Sequence, residues 1–265
     1  MRLCSIASGS SGNCIYVGND NTHILVDVGV SMKKTEIGLN SIDLSLKDID
    51  GIFITHEHID HIAGLGVIAR KHGIPMFSAQ ATIDAILQVS SIGKVDASLF
   101  HPIKADEEML LNDMIVHPMH ISHDAADPMA YRFYSEGKKV AVCTDLGCYD
   151  DYTVDSLKGM NAMLLEANHD VNMLQVGPYP YYLKRRILGN RGHLSNELSG
   201  RLVCDLMHDG LKAIQLGHLS KENNMEELAY ETVRTEINMS PIPYSANDIE
   251  LSVAKRSEAS EAILV

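Results

Sequence analysis

The chain has no CxxC pair. Its five cysteines (Cys4, Cys14, Cys143, Cys148 and Cys204) are odd in number and widely spaced, which removes the usual pattern of a zinc knuckle or a thiol redox motif and leaves them as reduced thiols, mainly in the core. Nor is there a run of the roughly 18 apolar residues that a membrane helix requires. The opening MRLCSIASGSSGN lacks the charged-then-apolar layout of a secretory signal, so a cytoplasmic protein with no membrane partner is expected. Basic charge is also scarce: 22 Lys and Arg against 35 Asp and Glu give a formal charge of −13. That argues against a surface coated for non-specific nucleic-acid binding, which needs many cations against phosphates. It leaves room for a local basic site, and bound divalent cations would offset part of the excess.

What the chain has in excess is histidine, with 13 residues. Otherwise its 265 residues, 45% apolar and 22% charged, are those of an ordinary globular protein, read as one domain over 1–265 with residues 254–265 as a loose tail. Short apolar strands are expected at Arg2–Ala7, Cys14–Val17 and Ile24–Asp27, with a Ser/Gly-rich turn, Ser8–Asn13, between the first two. Gly51–Thr55 reads as a buried strand followed by a helix over Ala63–His72. A short strand and a helix near Ala81–Val89 follow Pro75, then strands at Met109–Leu111 and Ile115–Met119. Tyr131–Tyr134 and Val140–Thr144 read as a hairpin, Ala213–Leu216 as a strand, and helical spacing recurs over Leu198–Met207 and Met225–Ile237. Strands that lead into helices through polar turns, in two successive halves, predict an α/β sandwich with helices covering two central sheets.

The chemistry concentrates in His56-Glu57-His58-Ile59-Asp60-His61, where four potential ligands stand within six residues of a buried strand's end. On such a turn residues two apart can converge on one ion while Asp60 and His61 project towards a second. His123, Asp145 and His218, each after an expected strand, complete two shells: His56, His58 and His123 around one ion, Asp60, His61 and His218 around the other, and Asp145 between them. A lone His is more often a solvated loop residue, and His72, His101, His117 and His208 are read that way; seven converging ligands are not.

HxHxDH at residues 56–61 resembles the signature of the metallo-β-lactamase superfamily, and the likeness runs over nearly the whole chain. It implies a four-layer αβ/βα sandwich, two divalent cations (zinc or manganese, with iron also compatible with these donors), and for Asp27 the role of orienting the ligand loop without touching metal. Asp145 stands where the true β-lactamases generally carry Cys, which disfavours antibiotic hydrolysis. His193 resembles an additional histidine of the tRNA 3′-processing endonucleases and cyclic-phosphate phosphodiesterases of this superfamily, and Glu166 resembles the Glu with which the endonucleases pair it; such a His suits phosphoryl transfer, meeting charge on the phosphate and protonating the leaving oxygen.

SGSSGN, EANHD, GPYPYYLKRRIL, GHLSNE and GHLSKENN are similar to the YycJ/WalJ-type subgroup, regarded as 5′-end DNA exonucleases. The expectation is therefore a dinuclear phosphodiesterase acting on DNA, with catalytic Asp60, Asp145, His193 and Glu166 and an activated water shared by the ions. The rival reading is a thioester or lactone hydrolase of the same fold. An iron redox enzyme fits less well, since His58 is present and no length remains for a flavin domain, and a non-catalytic binding protein sits badly with seven intact ligands. Lys184, Arg185, Arg186 and Arg191, with Tyr179, Tyr181 and Tyr182 alongside, suit a groove for a single strand, as does a phosphate contact from Ser10 and Ser11. A solvated basic helix face and a plain tight turn account for these residues equally well. His169 and Asp170 either support the site or cap the helix that follows.

Overall fold

The computed structural model describes residues 1–265. The N-terminal half builds one sheet from β1 (Arg2–Ala7), β2 (Cys14–Gly18), β3 (His23–Val26), β4 (Gly51–Phe53), β5 (Met76–Ser78) and β6 (Phe100–Pro102), with α1 (Met32–Asn40), α2 (Ile59–Ile62), α3 (Leu65–His72) and α4 (Gln80–Leu87) between strands. The second sheet is built from β7 (Met109–Leu111), β8 (Met114–His120), β9 (Met129–Ser135), β10 (Lys138–Cys143), β11 (Ala162–Glu166), β12 (Ala213–Gly217) and β13 (Glu250–Val253). Its helices are α5 (Asp151–Leu157), α6 (Val171–Val176), α7 (Tyr181–Ile187), α8 (Asn196–Leu206) and α9 (Glu226–Met239). A last strand, β14 (Ile263–Leu264), returns to the first sheet, so the orders are β14-β1-β2-β3-β4-β5-β6 and β13-β12-β11-β10-β9-β8-β7. In each sheet an antiparallel run passes into a parallel one, beginning at the β3 and β4 pair and at the β10 and β11 pair.

Side-chain alternation explains the layering. Ile15, Val17, Ile24, Val26 and Phe53 point into the space between the sheets, where they meet Val116, Phe133, Val140, Val142 and Leu164. Their neighbours Cys14, Tyr16, Leu25 and Ile52 point the other way and pack with Leu39, Leu65, Ile68 and Ile83 of the first sheet's helices. Ala141, Cys143, Met163 and Leu165 do the same beneath Leu202, Val203, Val233 and Ile237. A strand covered on both faces alternates between two apolar surroundings, and two such sheets with helices outside give the four-layer α/β sandwich expected. Phe53 anchors the middle, stacked on Phe77 at 4.8 Å and edge-on to Tyr131 at 5.3 Å.

The helix expected over Ala63–His72 is α3, which starts at Leu65; a separate single turn, α2, precedes it from Ile59, and between them stands Gly64, where a Cβ would lie 2.0 Å from the carbonyl oxygen of Val30. The hairpin turns through Glu136 and Gly137, both at positive φ, the conformation that a two-residue connection needs. Residues 254–265, expected as a loose tail, are tied to both sheets instead. Ala254 N donates to Leu216 O (2.7 Å), Ser260 N donates to Ser5 O (2.8 Å), and Arg2 and Leu3 pair with Leu264 and Ile263. Backbone hydrogen bonds hold this segment, and they leave no periodic apolar pattern to read. Cys4, Cys14 and Cys143 are buried thiols and no cysteine is paired. No helix is long and apolar enough to cross a membrane.

Candidate metal centre

The polar residues singled out above meet where parallel strands end. Asp27 directly follows β3, His56 follows β4 by three residues, Asp145 follows β10 by two, Glu166 is the last residue of β11, and His218 directly follows β12. Asp27, Asp145 and His218 take positive φ (59°, 59° and 56°), so each strand ends in a left-handed turn that costs a non-glycine residue some strain and swings its side chain over the sheet ends.

The side chains fall into contiguous groups. His56 Nε2 and His123 Nε2 lie 3.0 and 3.2 Å from His58 Nδ1. In a second group, His61 Nε2 and His218 Nε2 lie 3.6 and 3.4 Å from Asp60 Oδ2. Asp145 stands between, with Oδ1 3.7 Å from His123 Nε2 and Oδ2 3.2 Å from His61 Nε2. A further group joins Asp145, Glu166, His193 and His218. Imidazole nitrogens facing one another at 3 Å repel as lone pairs unless something positive lies among them, and Asp145 Oδ2 is buried without a hydrogen bond. The imidazole and carboxylate donors therefore fit divalent cations.

The surroundings aim these lone pairs. His61 Nδ1 donates to Asp27 Oδ2 (2.7 Å), and Asp27 also accepts from Thr55 N and Thr55 Oγ1, both at 2.8 Å. With its own proton on Asp27, Thr55 Oγ1 accepts from His56 Nδ1 (2.9 Å). His123 Nδ1 donates to Gly192 O (3.0 Å), and His218 Nδ1 to Glu166 Oε1 (2.9 Å). Each of these four rings thus carries its outer proton on Nδ1 and turns Nε2 inward, the arrangement by which outer partners orient metal-binding imidazoles. Asn13, whose amide lies 3.1 Å from His61 Nε2, and Asn168, which donates to His218 O at 2.8 Å, were not singled out from sequence; a polar residue inside a Ser/Gly turn was the one available signal for Asn13.

Burial, reinforced by the neighbouring His61, holds the His56 ring well below its ordinary pKa and so neutral. Burial acts the same way on His218, but Asp145, Asp60 and Glu166 outweigh it and raise that ring to about 10. Glu166 is held down to about 2 despite its burial, because His193 and His218 both donate to it. Its Oε1 lies 2.8 Å from His193 Nδ1, while Oε2 accepts from Leu146 N and Leu194 N. Sequence paired Glu166 with His193; the structure places it against His218 as well.

A cavity of about 220 Å³ opens over the centre, lined by His58, Asp60, Asp145, His193 and His218 together with Ser10, Tyr179 and Arg186. The other candidates for substrate contact lie apart from it. Ser11 is exposed beyond the lining, Lys184 Nζ donates to Gln175 O and Gly177 O at 2.8 and 2.7 Å, and Arg185 lies over the Tyr181 ring. Lys184 therefore closes the chain between α6 and α7, because the last carbonyls of a helix need donors. Arg191 Nε donates to His123 O at 3.1 Å. Asp170 caps α6 through Met173 N (2.7 Å), while His169 is buried with neither ring nitrogen paired. His72, His101, His117 and His208 stand outside all four groups.

The model of the metallo-beta-lactamase superfamily matches residues 7–218. The chain is 42% identical to exodeoxyribonuclease YycJ of Bacillus anthracis, with 88% of both chains covered, and 41% identical to exodeoxyribonuclease WalJ of Streptococcus pneumoniae, covering 86% of this chain and 85% of that one. Among solved structures it superposes on the metallo-beta-lactamase fold protein YhfI of Bacillus subtilis (TM-score 0.69, 16% identity, 98% of both chains) and on the short form of human tRNase Z (TM-score 0.64, 14% identity, 100% of both); at these identities the likeness is one of fold. A strand-end ligand set built on HxHxDH, within two sheets of this order, belongs to a chain of the metallo-beta-lactamase superfamily, in the group that holds YycJ and WalJ.

Proposed function

We propose that the chain is a dinuclear metal-dependent phosphodiesterase that removes nucleotides from DNA, working from the 5′ end. His56, His58 and His123 would hold one cation, Asp60, His61 and His218 the other, and Asp145 would serve both; zinc or manganese suits these donors, and iron also fits them. When bound, such cations supply Lewis acidity and an activated water.

The observation that carries the phosphodiester reading is the His193 and Glu166 pair beside these two groups. With Nδ1 donating to Glu166 at 2.8 Å, His193 is oriented by that buried carboxylate and presents its other ring nitrogen, a potential proton donor, to the cavity it lines. That proton meets the charge growing on a phosphate oxygen and passes to the leaving alkoxide. Glu166 keeps the ring in place, and Asp60 and Asp145 stand ready to accept a proton from the attacking water. DNA as substrate is supported by the names of the YycJ and WalJ relatives.

The test is cleavage of 5′-phosphorylated single- and double-stranded DNA by metal-stripped protein resupplied with manganese or zinc, beside a thioester. Nucleotide release that needs metal, and that falls at least about 100-fold in His193→Ala with metal content unchanged, is the expected result. Thioester turnover with intact DNA would replace the proposal with an acyl hydrolase of the same fold.

A further inference from the structure

Three cations follow one another on α7, and only Arg186 reaches the cavity. Lys184 is engaged by the carbonyls of Gln175 and Gly177, and Arg185 lies over Tyr181. Arg186 lines the cavity with Asp60, Asp145 and His193. Its guanidinium is gripped along one edge: Nε donates to Asp124 Oδ2, and Nη2 to Asp124 Oδ1 at 2.9 Å. Nη1 donates to no group of the protein and is left for another partner.

Asp124 is the residue after His123, and its Oδ1 lies 3.5 Å from His123 Nε2. The same stretch is fastened at two more points, Ser122 Oγ to Asn190 O (2.8 Å) and Arg191 Nε to His123 O (3.1 Å). The Arg186 and Asp124 side chains are 45% and 30% exposed, and an ion pair so open to water adds little to stability. What a two-point grip on a guanidinium does supply is direction.

We propose that Arg186 makes this site select an anionic phosphodiester over a neutral ester, and that Asp124 is the positioning residue that aims it. The proposal rests on the phosphodiesterase reading above. Setting the cations aside, the other polar side chains of the lining are carboxylates (Asp60, Asp145), histidines, or neutral groups such as Ser10, Asn168 and Ser220. Arg186 is the one group there whose positive charge is permanent, and a planar fork suits two phosphate oxygens. Tyr179, Leu183 and Ile187 complete that wall with apolar surface on which a sugar or base can lie.

The experiment uses manganese-loaded full-length protein, bis(4-nitrophenyl) phosphate as reporter, and calorimetric titration with thymidine 5′-monophosphate. Arg186→Ala should raise KM and weaken nucleotide binding about 10- to 100-fold with metal content by atomic emission unchanged. Arg186→Lys should recover part of the loss through its charge. Asp124→Asn should shift both readouts in the same direction by less, and the double variant Asp124→Asn/Arg186→Ala should be no worse than Arg186→Ala alone, because Asp124 acts through the arginine. Wild-type binding and KM in Arg186→Ala would overturn the proposal, as would additive losses in the double variant or metal loss confined to Asp124→Asn. A wild-type protein that leaves every phosphodiester intact would sink the functional reading, while the nucleotide titration would still decide whether Arg186 binds the anion.

Discussion

Both carboxylate oxygens of Asp27 are committed, to Thr55 and to His61, inside a fully buried pocket. Removing one member of such a network leaves the others without partners, which costs about 3–5 kcal/mol. Asp27→Ala should therefore lower the free energy of urea unfolding by about that much, and should also lower metal content, since His61 would lose the partner that fixes its tautomer. An unfolding curve like that of the unmodified protein would show that Thr55 and His61 find other partners. The residue was reached in sequence through the family resemblance, as the aspartate that orients the ligand loop. Asp124 is not: its partner Arg186 is 62 residues away, and nothing local marks it.

At the scale of elements, the loops that leave β1, β3 and β4 lock together through backbone. Asn13 N donates to Asp60 O, Gly29 N to Asn13 O, and Val28 N to His61 O, all at 2.7–2.8 Å. A Cβ on Gly29 would fall 1.6 Å from Asp60 O, so Gly29→Ala has to displace the ligand loop. A loss of about 1–3 kcal/mol with sheet circular dichroism retained, and a weaker manganese affinity by isothermal titration, are expected; wild-type affinity would mean that the HEHIDH loop is held mainly by its ligands. The loop itself was plain from sequence, four donors after a strand. The segment Ala162–Glu166 was less so, since four apolar residues before a glutamate read equally as strand or helix, and only its parallel pairing with β10 and β12 decides. Two-residue β14 lies below any pattern.

For the whole molecule, the decisive feature is that each sheet carries part of the proposed shell: His56, His58, Asp60 and His61 on the first, His123, Asp145 and His218 on the second. A cation bound across them ties the two sheets, and linkage sets the size of the effect: about 2.7 kcal/mol when free metal is 100 times Kd. Stripping metal with a chelator should lower Tm by several degrees, with the two sheets still folded, because the space between them is filled by Phe53, Phe77, Tyr131 and Phe133 without any cation. A Tm that ignores chelation would show that the shell is not filled by tightly held metal. Composition and strand order made this two-sheet plan readable; the attachment of residues 254–265 depended on backbone bonds to both sheets and was not.

The division of the shell also bears on how the protein is made. The first four candidate ligands are in the chain once His61 is synthesised, but the last, His218, follows 157 residues later. At the usual pace of translation that is on the order of ten seconds, during which the HEHIDH segment is without the candidate ligands of the second sheet. The proposed donor set is therefore complete only in the finished chain, once β12 has joined the second sheet and brought His218 across to Asp60.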